Sequence, residues 1–580
     1  MKNALSGRAL SDWRLKGEAS FCNYTGIACN SKGEVTRLNI SGWDLEGTFP
    51  PNICFYLPQL RALDISSNSL QGSFPNGVTN CSLLEELGLG YLYLGGRLPD
   101  FSGMNSIRKM DFSYNLFNGD FPMSIFELTG LEELNFNENV NLNLWELPDN
   151  ITHMVGLKTL ILSTVNIRGR IPPSMGNMTS LIDLELSGNY LSGQIPPELG
   201  NLKNLKYLML YYNQQISGEI PEELGNLTEL EQLDVSVNQL TGKIPDSICR
   251  LRKLSVLQLY NNSISGEIPA SLGDSNTLSY FSVYDNFLSG EIPVKLGSSS
   301  PLIATDLSEN NFTGELPPDI CKGGKLVYFT ALSNRLTGFI PESYAKCTTL
   351  VRFRLSKNQL VGIVPKGIFG LPRVNIIDLA YNHLEGTISI EIGNAKNMTD
   401  FLVQQNKLSG ILPPEISGAE NLVKLDLSYN SLSGPIPDEL GDLRKLNLLL
   451  LQNNNFTSSI PETLSQLKSL NALDLSDNQL TGTVPESLSK LLPHAINLSN
   501  NHLKGPIPVA LLQAGFEESF LGNPGMCVTE YIYPSDRSFP LCSESRRSKT
   551  LIWICITIAL AIILVVTTAL LLKCCLKEKK

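Results

Sequence analysis

Histidine is scarce in this chain. Its four copies, His153, His383, His494 and His502, are scattered across 580 residues, which argues against a metal cluster. Positive charge is short as well: 45 Lys and Arg stand against 56 Asp and Glu, a net charge of −11, so no basic face is on offer to nucleic acid. There is no G-x-x-x-x-G-K-[ST] loop, no H-E-x-x-H pair and no kinase signature set. Nothing reads as catalytic, and nothing calls for a cofactor. The opening MKNALSGRALSDW lacks an apolar core, so the sequence as written reads without a signal peptide. Eight residues follow Leu572, so it also reads without a cytoplasmic domain.

What the chain does have is a repeat. The template L-x-x-L-x-L-x-x-N-x-L-x-G-x-I-P recurs about every 24 residues, with its Asn at positions such as Asn189, Asn238, Asn310, Asn358, Asn430 and Asn501. Asn68, Asn115 and Asn139 hold the same slot upstream, while Trp43, Leu92 and Val165 replace it. About 20 repeats run from residue 35 to residue 515. One coil cannot bury its leucines alone, but stacked coils cover each other, so the period predicts a leucine-rich-repeat solenoid with one strand per coil. The fold class is an α/β, mostly β, repeat solenoid. The Gly-x-Ile-Pro run marks the plant-type superhelix, and the Asn ladder is expected to satisfy buried backbone groups at the turn.

Cysteine usage points to an oxidising compartment. Cys22 and Cys29 both precede the first repeat, and Cys527 and Cys542 both follow the last, where a solenoid must cap its open core. Cys54 with Cys81, and Cys321 with Cys347, lie one repeat apart, a spacing that lets adjacent coils be stapled. Cys249 has no counterpart one coil later and reads as a buried free thiol. N-x-[ST] acceptors occur at Asn23, Asn39, Asn80, Asn150, Asn177, Asn226, Asn261, Asn311, Asn397, Asn455 and Asn497, and Asn497 is expected on the concave face. Leu551 to Leu572 is a 22-residue uncharged run, ~33 Å as a helix at ~1.5 Å per residue, and long enough for a bilayer. Basic residues flank it on both sides, so the disulfides and sequons decide that its N-terminal side is extracellular. Cys574 and Cys575 at the inner boundary are palmitoylation candidates. The expected organisation is a cap (1–34), the solenoid (35–515), a second cap and stalk (516–550), the membrane helix (551–572) and a short tail (573–580).

The segments LSDW and FCNYTGIAC resemble the N-terminal cap of plant leucine-rich-repeat receptor kinases, with Tyr24 where Trp is more usual. The irregular fifth repeat, LEELNFNENVNLNLWELPDN, and the run LVRFRLSKNQLVGIVPKGIFGLPRVNIIDLAYN are similar to the receptors for C-terminally encoded peptides, in the peptide-hormone branch of that family. The resemblance spans essentially the whole chain. It implies a secreted peptide ligand, a co-receptor leucine-rich-repeat kinase as partner, and a plasma-membrane location with a single span.

Arg352 and Arg354 flank Phe353 in L-x-x-L-x-L, so both face the concave surface, two positions apart. They repel each other and need a counter-charge: Asp378 one coil later and Asp306 two coils earlier are at hand. Tyr207, Tyr211, Tyr212, Tyr260, Tyr280, Tyr284 and Tyr328 occupy inward slots of the preceding coils. Tyr211, Tyr260 and Tyr284 are ordinary for this repeat, but Tyr207, Tyr280 and Tyr328 stand in the third slot of the strand and read as a binding track. An aromatic track ending in two guanidinium groups suits an extended peptide whose terminal carboxylate docks there. The resemblance implies that same use of an R-x-R pair. Removing both arginines is expected to leave stability unchanged. Two other readings stay open: a kinase-less decoy, and a concave binding scaffold such as an inhibitor of pathogen hydrolases.

Overall fold

The computed structural model describes residues 4–7, 10–11, 13, 21–491, 493–530, 538–542 and 546–577, with side chains of the final helix given for 553–571. The chain divides into two compact units, Met1–Lys407 and Leu408–Lys580.

In the first unit an antiparallel hairpin, Ile27–Cys29 with Val35–Asn39, leads into a ladder of short parallel strands, one per coil. Tyr328–Thr330, Arg352–Arg354 and Ile376–Asp378 are three successive rungs, in register at Tyr328, Arg352 and Ile376. Period-two alternation sets the faces: Phe353 and its neighbours Phe329 and Ile377 are fully buried, while the flanking residues of each strand point out. Phe353 packs near Phe329 and Tyr344, so truncating it to Ala costs about 3–5 kcal/mol.

The turn after each strand explains the Asn ladder. Asn358 is buried and its amide donates to the carbonyls of Ala331, Leu355 and Ser356, while its Oδ1 accepts from the Leu336 backbone N–H. One side chain thereby joins two coils. Lys357 just before it is left-handed at φ 56°, as are the residues preceding the other ladder asparagines. A second, shorter ladder follows the turn, as in Val361–Ile363 paired with His383–Gly386. Gly362 there has φ 77°, and a Cβ on it would lie 2.3 Å from the Phe339 ring. Proline then opens a 3₁₀ turn, as Pro341 does before Glu342–Lys346, and returns the chain to the next strand.

The second unit repeats the pattern through Lys424–Asp426, Leu448–Leu450, Ala472–Asp474 and Ala495–Asn497. The ladder reaches Asn523, past residue 515: Asn523 accepts from Leu503 N–H and donates to Leu498 and Phe520 carbonyls. Its coil adds the strand Gly525–Cys527, paired with Lys504–Pro506. A 32-residue helix, Arg546–Lys577, contains the stretch Trp553–Leu571, uncharged, exposed and long enough to cross a membrane. Cys574, Cys575 and the tail beyond 572 lie outside the residues whose side chains are described.

Disulfides join Cys22 to Cys29, Cys54 to Cys81, Cys321 to Cys347 and Cys527 to Cys542. Cys249 is buried and free, and burial pushes its thiol up to about 12, which leaves it unreactive. Asn497 lies on the outward side of its strand and contacts Asp474, and Asn39 likewise sits on its strand beside Asp64.

Candidate functional site

The outward residues of the first unit's strands form columns, because parallel pairing places equivalent positions side by side. One column reads Asp183, Tyr207, Gln232, Val256, Tyr280, Ala304, Tyr328, Arg352 and Ile376. At ~4.8 Å per rung, Tyr207 to Arg352 spans ~29 Å, the length of roughly nine extended residues. Tyr280 and Tyr328 flank Ala304, whose small side chain leaves a notch between two rings that are 39% and 41% exposed. Tyr207 differs: its hydroxyl turns aside to Glu231 Oε2, 3.4 Å away.

Tyr211, Tyr260 and Tyr284 lie beyond the strand ends, in a separate row at the turn, where Tyr260 and Tyr284 have ring centroids 6.4 Å apart. Tyr212 is not in the strand face. It is the left-handed residue of its turn, at φ 60°, and is exposed.

The two arginines meet different surroundings. Arg352 is exposed, and its guanidinium carbon sits 5.6 Å from the centroid of the Tyr328 ring, within reach of a cation–π attraction. Among the described residues it has no carboxylate partner. Arg354 donates from Nε and Nη2 to Asp378 Oδ2, both at 3.3 Å, and Ser356 Oγ donates to the same oxygen at 2.8 Å. Asp306 instead caps its own turn through Ser308 N–H. Of the two acids weighed from the sequence, the structure pairs Asp378 with Arg354. That pairing overturns the expectation that removing both arginines leaves stability unchanged, because Asp378 is buried and would lose its counter-charge.

A feature at the far end of the column was missed. Asp183 and Glu185 project from the same strand face, and burial together with the neighbouring Glu185 raises Asp183 to about 7. Burial raises Glu185 as well, and raises Asp234 despite its bonds from Ser236. Asp183 Oδ1 is buried without a hydrogen-bond partner. The alternation of acids in LIDLELS was the available signal. The site therefore runs from an acidic end to a basic one.

Comparisons with known proteins agree with this architecture. A "Leucine-rich repeat region" model matches residues 194–298, and single "Leucine Rich Repeat" models match 59–81, 180–202, 421–443 and 469–491. "Receptor protein-tyrosine kinase CEPR1" of Arabidopsis thaliana is 55% identical over 174 residues, a stretch that is 30% of this chain and 18% of that relative. The crystal structure of the Arabidopsis receptor kinase HAESA, in complex with the peptide hormone IDA and the co-receptor SERK1, is similar over 91% of this chain and 97% of that one, with 33% identity and a TM-score of 0.82. A TDR receptor structure is similar over 87% and 92%, at 30% identity and a TM-score of 0.76. The chain belongs to the plant leucine-rich-repeat receptor-kinase family: its repeats match the ectodomain of such receptors, and one apolar helix follows them.

Proposed function

We propose that this chain is a cell-surface receptor ectodomain that binds a secreted peptide of the C-terminally encoded class along its strand face. The peptide's C-terminal carboxylate is held by Arg352 and Arg354, and its body lies over Tyr328, Ala304 and Tyr280 toward Tyr207. Tyr260 and Tyr284 border the peptide from the turn row. The bound pair then recruits a co-receptor kinase. The chain acts by binding rather than by catalysis, anchored in the plasma membrane by one span with the repeats outside.

One observation carries this reading: Arg352 is an exposed cation, held over a tyrosine ring and lacking a carboxylate partner among the described residues, in a column that carries three tyrosines. A carboxylate there gains forked, charge-assisted hydrogen bonds that no described side chain supplies. The disulfides support an oxidising exterior. HAESA, which shares the fold across nearly the whole chain, is a receptor whose structure holds a peptide hormone and a co-receptor.

The test is titration calorimetry with a C-terminally encoded peptide as free acid and as amide. Amidation removes the charge that the arginines would hold, so affinity should fall roughly 10²-fold or more. Equal affinity for acid and amide rejects the carboxylate reading.

A further inference from the structure

The repeat itself shows that Asp378 is unusual. Most coils with Asp at the end of the strand carry Ser two residues later, and that serine donates back to the Asp. Asp234 with Ser236, Asp306 with Ser308, Asp426 with Ser428 and Asp474 with Ser476 are bonded in this way. Asp378 is followed by Leu379 and Ala380, so its own turn offers no hydroxyl. One coil earlier the departure is complementary: Arg354 stands where Asp would be, so Ser356 has no Asp of its own to cap. The two departures meet. Ser356 and Arg354 both donate to Asp378 Oδ2 across the strand boundary.

The electrostatic consequence concerns what can dock. Tyr328, Thr330 and Ile376 on the adjoining strands bring no charge, so on these three strands Arg352, Arg354 and Asp378 are the charges and sum to +1. Asp306 and Asp400 lie two rungs away, ~10 Å at ~4.8 Å per rung, about a Debye length in physiological salt. Both are negative and add nothing that would welcome a second anion.

Resting on the peptide-carboxylate reading above, we propose that Asp378 determines the specificity of the arginine pair: by cancelling one of the two positive charges, it makes the site take a ligand end bearing one negative charge and reject an end bearing two. A terminal carboxylate on an uncharged last residue fits. A last residue of Asp or Glu, or a phosphorylated one, places a second anion beside Asp378, where like charges repel.

The test uses the full chain in lipid nanodiscs and a synthetic C-terminally encoded peptide in three forms: last residue Gln, last residue Glu, and the Gln form amidated. The Gln and Glu peptides are nearly isosteric and differ by one charge. The wild-type chain should bind the Gln peptide about tenfold or more tightly than the Glu peptide. Asp378→Asn keeps an acceptor for Ser356 and should narrow that ratio to about threefold or less, chiefly by improving the Glu peptide. Ala380→Ser restores the usual turn, keeps the charge, and should leave the ratio at its wild-type value. A ratio that Asp378→Asn does not change, or a wild-type preference for Glu, overturns the proposal. An amidated peptide that binds as well as the free acid instead rejects the carboxylate reading on which it rests.

Discussion

Arg354 and Asp378 face each other on adjacent parallel strands, and the acid is the buried partner: its side chain is 7% exposed against 40% for the arginine. An arginine so exposed remains open to a ligand while also compensating a charge that water does not reach. Arg352, two residues before it, has no such duty. The pair is symmetric in sequence and asymmetric in consequence.

Single substitutions should therefore separate the two. Arg354→Ala strands Asp378 with only Ser356 as donor and should cost about 1–3 kcal/mol of stability, read by denaturant unfolding of the first unit's transition. Arg352→Ala should cost less than about 0.5 kcal/mol. Equal costs would show that Arg354 does not support Asp378.

The column of rings should matter for peptide affinity in proportion to its place in the site. Tyr280→Ala and Tyr328→Ala should each weaken binding by roughly 5- to 30-fold, in the range of aromatic interface anchors. Tyr328→Phe should be tolerated, since the face beneath Arg352 is retained. Tyr207→Ala should have the smallest effect, its hydroxyl already being turned to Glu231. Calorimetry with the free-acid peptide decides, and unchanged affinity in all three Ala variants would place the ligand elsewhere.

A third inter-coil staple is half built. Ser275 follows Cys249 by the same 26 residues that separate Cys321 from Cys347, and like Cys81 and Cys347 it directly follows a 3₁₀ turn. Ser275→Cys should consume the Cys249 thiol, detectable by thiol titration of the denatured chain, and add about 2–3 kcal/mol of stability. Two titratable thiols at these positions would show that the coils do not bring them together.

Asp183 makes stability depend on pH. Its carboxyl sits at about 7 in the folded chain against 3.8 as the ordinary value, so the folded state binds the proton more tightly. The stability this contributes is complete below pH ~4 and is lost as pH rises through about 7. Asp183 retains part of its solvent contact, so the swing is discounted to about 1–2 kcal/mol. Asp183→Asn should raise the melting temperature at pH 7.5 and leave it nearly unchanged at pH 4. A gain of the same size at both pH values would reject burial of the charge as the cause.

The coil architecture was legible because every coil restates it. Leu350, Phe353 and Leu355 declare the buried side by spacing alone, and Asn358 sits where buried carbonyls of two coils need a donor. The paired cysteines were legible for the same reason, since equivalent positions in adjacent coils must be neighbours. The coil of Asn523 was not read from the sequence, because past Ile507 the leucine spacing drifts while the turn chemistry persists.

By itself, then, the sequence determined which residues share a face and which rung each occupies, because parallel pairing in a repeat is local and periodic. It named Arg352, Arg354, Tyr280 and Tyr328 as outward neighbours, and it offered Asp306 and Asp378 as equal candidates to balance the arginines. Only the tertiary structure chose between the acids. The choice depends on which hydroxyl lies within hydrogen-bonding distance of each carboxylate, and on how much water each loses to the coil stacked above it. Ser308 holds Asp306 to its own turn, while Ala380 leaves Asp378 to reach Ser356 and Arg354 one coil away. Burial of a charge depends on everything packed around it, and no spacing along the chain expresses that.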